Sequence, residues 1–251
     1  MTPTPDPQHT TEGGLQKQLK SMGRSVEAFP FWRNMGLLNQ STGVYMGGGR
    51  VLTAAHVGAG TFTLQDGTSY KPIRGSERRF RNPDGSYADL LLFQVSYQKG
   101  DSLTKLPSVP IRRVCPSRSC PVLLLGAGSG NASQSARPVS GFRWNENSRL
   151  RWGFNRVEYT YTESIETFAF RTPGYSTRFA RGELQCQATP GDSGGGVFAF
   201  HPVFRRWELC GIILAVDGQE GKAAYGNQTY IGDLTIIPKH AFSGRSLLVS
   251  H

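Results

Sequence analysis

Long apolar runs are missing from this chain of 251 residues. No stretch approaches the roughly 18 consecutive apolar residues of a membrane-crossing helix, so a helical span within it is excluded. The opening residues, MTPTPDPQHTTEGG, lack both a basic n-region and an apolar h-region, and so do not read as a signal peptide. The sequence reads as cytosolic, or as a chain whose leader is absent. Internal repeats and low-complexity tracts are lacking too, so a division into an array of modules is excluded. Helical periodicity is scarce. Only Leu15–Met22 and the tail Pro238–Val249, with Pro238 near its start, read as short helices. Cysteine is sparse, at four residues. Neither Cys115/Cys120 nor Cys186/Cys210 has C-x₂-C spacing, and no histidine pair accompanies them, which argues against a zinc site. Four cysteines allow three pairings, and local clamps favour 115–120 and 186–210.

Carboxylates are also few. Asp and Glu number 18 against 28 Lys and Arg, for a net charge of +10. Many arginines fall between Arg74 and Arg81 and between Arg137 and Arg156. Phe142, Trp144, Trp152 and Phe154 interleave the second stretch. The preferred reading is a solvated basic face with the aromatics turned inward, so no nucleic-acid partner is expected. Long-range attraction of acidic polymers or substrates is the other use of such charge.

Glycine is abundant at 31 and proline stands at 15, as suits short strands joined by tight turns. Strands are expected at Gly43–Met46, Arg50–Ala54, Thr61–Leu64, Leu90–Ser96 and Val122–Leu125. Further ones are expected at Arg156–Thr162, Thr167–Phe170, Gly196–Phe200, Trp207–Val216 and Gln228–Ile231. Turn signals every 8–15 residues argue for an all-β sandwich or barrel. Residues 1–28 read as a polar arm and 29–251 as the folded unit, with room for two sub-barrels divided near 110–122.

Against this background one segment stands out: Gly191-Asp192-Ser193-Gly194-Gly195-Gly196. A serine hydroxyl attacks poorly unless a base takes its proton and donors stabilise the resulting oxyanion. Flanking glycines let the backbone turn sharply and aim its N–H groups at one point. Upstream, Thr53-Ala54-Ala55-His56 ends an apolar run, delivering an imidazole to a strand end. Asp89 heads Leu90-Leu91-Leu92-Phe93, where a carboxylate is costly unless hydrogen-bonded or paired. Serine, histidine and carboxylate in such settings make the constellation for acyl transfer. Gly191-Asp192-Ser193-Gly194-Gly195 also satisfies G-x-S-x-G. That alternative is an esterase using Ser193 with Asp217 or Asp233 and His240. It needs a strand before the serine and a helix after, whereas Ala188-Thr189-Pro190 reads as a loop and Gly194-Gly195-Gly196 is a poor helix start.

These motifs make the chain resemble the chymotrypsin/trypsin-like serine peptidases. Thr53-Ala54-Ala55-His56, Asp89-Leu90-Leu91-Leu92-Phe93 and Gly191-Asp192-Ser193-Gly194-Gly195 carry the resemblance, with Trp207-Glu208-Leu209-Cys210-Gly211-Ile212-Ile213 as the following strand. It runs from about Phe29 to the end. It implies two six-stranded antiparallel β-barrels with the active site between them, and a short C-terminal helix. It implies a serine endopeptidase acting on protein or peptide substrates, read as a monomer, without metal or organic cofactor. By the same resemblance the precursor would be secreted or exported to the cell envelope. His56 would be the base, Asp89 its orienter, Ser193 the nucleophile, and the N–H groups of Gly191 and Ser193 the oxyanion hole. Asp192 would be structural, paired with an internal cation for which Arg137 is the candidate, because the stretch around Arg24-Ser25-Val26-Glu27 lacks Ile-Val-Gly-Gly. Gln187 and Leu214-Ala215-Val216 would line the primary pocket. With no anion at Gln187, small or medium uncharged residues are expected there. A catalytically silent binding module on the same fold is the remaining alternative.

Overall fold

A computed structural model describes residues 11–22, 27–131, 141–145, 149–161, 164–180, 185–217 and 222–242. The first half of the chain forms one curled antiparallel sheet. Its strands are β1 (Met35–Leu38), β2 (Ser41–Gly47), β3 (Arg50–Thr53), β4 (Phe62–Leu64), β5 (Ser69–Tyr70), β6 (Arg78–Arg81) and β7 (Tyr87–Gln94), ordered β5-β4-β1-β2-β3-β7-β6. The second half supplies β8 (Pro121–Gly126), β9 (Gly130–Asn131), β10 (Gly141–Asn145), β11 (Arg151–Thr160), β12 (Ile165–Thr167) and β13 (Phe170–Thr172). It continues with β14 (Gly174–Arg178), β15 (Gly196–His201), β16 (Arg206–Val216), β17 (Lys222–Ala224) and β18 (Gln228–Asp233). Six of these close a barrel in the order β11-β14-β18-β16-β15-β8.

Strand periodicity explains how the halves join. Successive side chains of a strand face opposite ways. On β7, Leu91 and Phe93 join the interior of the first sheet, with Tyr45, Val51 and Phe62. Ala88, Leu90 and Leu92 turn the other way, into a cluster shared with Leu123, Leu125, Phe198, Leu209 and Leu214 of the second barrel. Val122, Leu124, Val157, Val197 and Ile231 fill that barrel's own interior. The apolar runs at 90–93 and 122–125 are therefore unbroken because one face lines a barrel and the other lines the seam.

The two-barrel expectation holds, with a difference in the first. That sheet has seven strands rather than six. The segment after β5 meets the end of β7 through a single bridge, Pro72 to Val95, flanked by Ser96 N–H to Lys71 O at 2.9 Å and Ile73 N–H to Gln94 O at 2.8 Å. Proline has no N–H to extend a ladder, so the closure stays short. Thr167–Phe170, expected as a strand, is the turn of the β12–β13 hairpin: Thr167 pairs with Phe170 across it, and Phe168 sits at φ +52°.

At the N-terminal end, helix α1 (Glu12–Ser21) is capped by Thr11, whose side chain accepts the Gly14 N–H at 3.0 Å. Leu15 and Leu19, one turn apart, are buried in the seam cluster with Phe29, Phe31 and Trp32. Trp152 and Phe154 are buried there too, consistent with aromatics turned inward; the Phe142 and Trp144 side chains lie outside the described set. Of the expected C-terminal helix, Lys239–Phe242 forms a 3₁₀ turn and residues 243–251 lie outside the described residues.

The expected disulfides do not form: Cys115, Cys120, Cys186 and Cys210 are all free. Cys210 points into the second barrel, with its Sγ 3.2 Å from Tyr175 Oη and 3.3 Å from Val197 O. The Sγ atoms of Cys115 and Cys120 lie 3.8 Å and 3.7 Å from the carbonyl of the proline that follows each. Nearness in sequence did not aim the side chains at each other. Burial pushes the Cys186 and Cys210 thiols up to about 12 from an ordinary 9.0. The folded chain thus keeps protons that the unfolded chain releases. This contribution to stability is intact below about pH 9 and declines as pH climbs toward 12. Thiol titration without reductant should find Cys186 and Cys210 unreactive in the native protein at pH 8, and four thiols after denaturation. Two thiols after denaturation would restore a disulfide.

Candidate active site

β3 leaves the sheet at Thr53 and the chain turns at once, with Val57 N–H on Ala54 O and Gly58 N–H on Ala55 O, both at 3.2 Å. Gly58 takes φ +78°, which lets the turn close. His56 sits on this turn. Its backbone N–H donates to Asp89 Oδ1 at 2.9 Å, and its ring Nδ1 lies 2.7 Å from Asp89 Oδ2. An ionised carboxylate only accepts, so facing it Nδ1 carries the proton and Nε2 is left as the basic nitrogen.

Asp89 lies on β7, which pairs with β3 through Leu91 and Thr53. Its side chain is wholly buried, whereas the imidazole is 15% exposed. A carboxylate in that position must be satisfied by donors. Besides His56, Thr167 Oγ1 donates to Oδ2 at 2.6 Å, and the Asp89 N–H itself is held by Thr172 Oγ1 at 2.8 Å. Both threonines come from the β12–β13 hairpin, 78 and 83 positions away.

Ser193 is brought to the same seam by the loop 189–195. Thr42 on β2 donates its N–H to Ser193 O at 2.9 Å and its hydroxyl to Gly191 O at 3.0 Å. Thr53, three residues before His56, donates its hydroxyl to Thr42 O at 2.9 Å. The loop that carries Ser193 thus rests on the strand end that leads to His56. The Ser193 hydroxyl is 3.4 Å from Leu214 O, a loose contact that leaves it free to turn.

The loop also fixes two N–H groups. Pro190 O accepts from Ser129 N at 2.9 Å, and Asp192 O accepts from Gly195 N at 2.8 Å. In a trans peptide the carbonyl and the following N–H point oppositely. The Gly191 and Ser193 N–H groups therefore face away from these anchors, and among the described residues neither donates to a protein acceptor. Gly191 holds φ +90°, a conformation that a side chain would strain.

Asp192 is fully buried and shapes this loop. Its Oδ1 accepts the Gly128 N–H at 2.8 Å, and its Oδ2 accepts the Thr189 N–H at 2.7 Å and the Thr189 hydroxyl at 3.1 Å. Arg137 lies outside the described residues. The described cation is Arg151, whose Nη1 donates to Gly128 O at 2.7 Å. Burial lowers the Arg151 pKa and the nearby Asp192 charge opposes that. Asp192→Asn would place an amide donor against the Thr189 N–H. A lower melting temperature is expected and, if the Gly191 and Ser193 N–H groups serve as oxyanion donors, a fall in kcat of about 10²–10³-fold; an unchanged melting temperature and full activity would contradict the loop's dependence on this carboxylate.

Gln187 is also fully buried. Its Nε2 donates to Asp217 O at 2.7 Å, while its Oε1 is buried without a partner among the described residues. Leu214 is buried, and Ala215 and Val216 are half-buried on β16. The residues of the esterase alternative are engaged in contacts of their own. His240 Nε2 is 3.2 Å from Arg78 Nη2. Asp217 accepts the Gln228 N–H and Asp233 accepts from Thr235.

Sequence reasoning missed Thr42, Thr167, Thr172 and Arg151. Of these only Thr167 falls in an expected strand; Thr42 and Thr172 lie just outside one, Arg151 is one of several arginines in its stretch, and none carries a local signal of its contacts.

No family model matches the chain, and no curated protein matches it. Solved structures do. The NS6 protease from murine norovirus 1 is 15% identical over 81% of this chain and 90% of that one, with a TM-score of 0.49. The HtrA-type protease AlgW with a decapeptide is 16% identical over 78% of this chain and 49% of that one, with a TM-score of 0.48. An inactive mutant form of Rv3671c from M. tuberculosis H37Rv is 13% identical over 77% and 76%, at 0.47. By its own topology, a closed six-stranded barrel joined along an apolar seam to a curled seven-stranded sheet, the chain has the two-barrel fold of chymotrypsin-like peptidases.

Proposed function

We propose that the chain is a serine endopeptidase that cleaves peptide bonds through an acyl-enzyme. Ser193 Oγ attacks the scissile carbonyl while His56 Nε2 takes its proton. Asp89 holds Nδ1–H and stabilises the imidazolium that forms. The oxyanion meets the Gly191 and Ser193 N–H groups. His56 then protonates the departing amine, and water, deprotonated by the same nitrogen, releases the acyl group. The observation that carries this reading is the grip of one fully buried carboxylate on both the backbone and ring nitrogens of His56, at 2.9 and 2.7 Å. A merely structural aspartate would need only the first.

The primary pocket is assigned to Gln187 with Leu214, Ala215 and Val216. Gln187 offers a neutral amide, so a Lys or Arg side chain entering there would lose its solvent without gaining an anion. Incubation with a peptide library should yield internal cuts after small or medium uncharged residues, all lost in Ser193→Ala. A strict Arg/Lys preference would overturn the pocket assignment. Ester hydrolysis that survives His56→Ala, with no peptide cleaved, would replace this reading with the esterase.

A further inference from the structure

The β12–β13 hairpin touches the candidate triad at three points. Thr167 Oγ1 donates to Asp89 Oδ2 at 2.6 Å, and Thr172 Oγ1 accepts the Asp89 N–H at 2.8 Å. Between them, the Phe168 ring lies 4.9 Å from the His56 ring, tilted by 36°. Phe168 has no structural reason to be there: it is 86% exposed, and its φ of +52° lies where a side chain is strained. The hairpin is meanwhile anchored at both ends. Phe170 packs on the interior cluster of the first sheet, Asn82 donates its side-chain amide to Arg171 O, and Ile165 is buried. A strained, solvent-facing aromatic on a firmly held turn, laid against the reactive imidazole, marks a surface that something else covers.

We propose that this hairpin reads the substrate and sets the triad with one element: Thr167 is a positioning residue for Asp89, and Phe168 is a specificity-determining residue that takes an apolar substrate side chain flanking the scissile bond. The inference rests on the serine-peptidase reading. An apolar side chain lying across Phe168 removes that ring from water and covers the exposed edge of His56, which excludes solvent from the proton transfer. Because Thr167 and Phe168 are adjacent, whatever settles the ring also settles the hydroxyl on Oδ2. The substrates this fits are peptides with a Leu, Val or Phe next to the cleaved residue, rather than polar or charged ones.

The test uses the full chain and reads acylation and turnover separately. In wild type, a peptide pair differing only by Leu or Ala at each position flanking the cleavage site should show about a tenfold preference for Leu at one of them. Phe168→Ala should abolish that preference while Ser193 is still labelled by a small fluorophosphonate, which shows that the variant keeps a folded site. Thr167→Val, close in shape but without the hydroxyl, should lower kcat by about 10–100-fold, with KM unchanged and a lower melting temperature because buried Asp89 loses a donor, and Thr167→Ser should restore both. Two results would overturn the inference: Thr167→Val as active as wild type, or Phe168→Ala faster on every peptide, which would make the ring an obstruction. Wild-type protein that neither labels nor cleaves would instead remove the peptidase reading itself, before any variant is compared.

Discussion

Asp89→Asn should lower kcat by about 10⁴-fold while leaving KM and the fold intact. The substitution keeps the volume of a wholly buried side chain, so no cavity opens. Its carbonyl oxygen can still accept the His56 backbone N–H, as Oδ1 does at 2.9 Å. The amide nitrogen then falls where Oδ2 was, 2.7 Å from His56 Nδ1. Two donors cannot face each other at that distance, so the imidazole must move its proton to Nε2. A ring protonated at Nε2 has no lone pair for the Ser193 hydroxyl. Thr167, which donates to Oδ2 at 2.6 Å, adapts by accepting instead, since a hydroxyl does either. Steady-state kinetics alongside thermal unfolding separates the outcomes. Activity within tenfold of wild type would show that Asp89 does not set the tautomer, and a collapse in melting temperature would show that its role is mainly in folding.

The second large effect falls on stability. Gly194→Ala should destabilise the seam, costing about 2–5 kcal/mol. A Cβ there would lie 2.0 Å from Thr42 O and 2.1 Å from Thr53 Oγ1. The first is a backbone atom and the second is fixed by its own bond to Thr42 O at 2.9 Å, so neither can yield cheaply. The glycine also holds φ +81°, where an added side chain costs roughly 1–2 kcal/mol before any clash. Overpacking adds about 1–3 kcal/mol. For a chain of this size each kcal/mol lowers the melting temperature by about 2–4 °C, so a fall near 10 °C is expected. Gly226→Ala makes the control: φ is again positive, at +100°, but nothing lies within 4 Å of the added carbon. Equal losses in the two variants would assign the effect to backbone strain alone and leave the seam contact without weight.

How far the site could be read in advance depended on whether its chemistry is local. Ser193 announces itself by the glycines that crowd it. His56 follows an apolar run and Asp89 heads one, where a polar side chain must have a purpose. Thr167 gave no such signal. Its partner is 78 positions away, and Thr167-Phe168-Ala169-Phe170 has the residue types of a strand while forming a turn. Thr42 is hidden for the same reason, in a strand buried over six of its seven residues. The short strands β5, β12 and β13 span two or three residues each, too few for alternation to register. The cysteine pairings failed because closeness along the chain says nothing about where a side chain points, and Cys210 is directed at Tyr175 inside the barrel.

The central claim is that His56, held by Asp89, activates Ser193 across the seam between the two halves. Mass spectrometry of the protein after brief exposure to a fluorophosphonate tests it most directly. The account predicts a single phosphonyl adduct, mapped to Ser193, formed in wild type and suppressed in both His56→Ala and Asp89→Asn. An adduct on another residue, or labelling of Ser193 at an unchanged rate in His56→Ala, would contradict it.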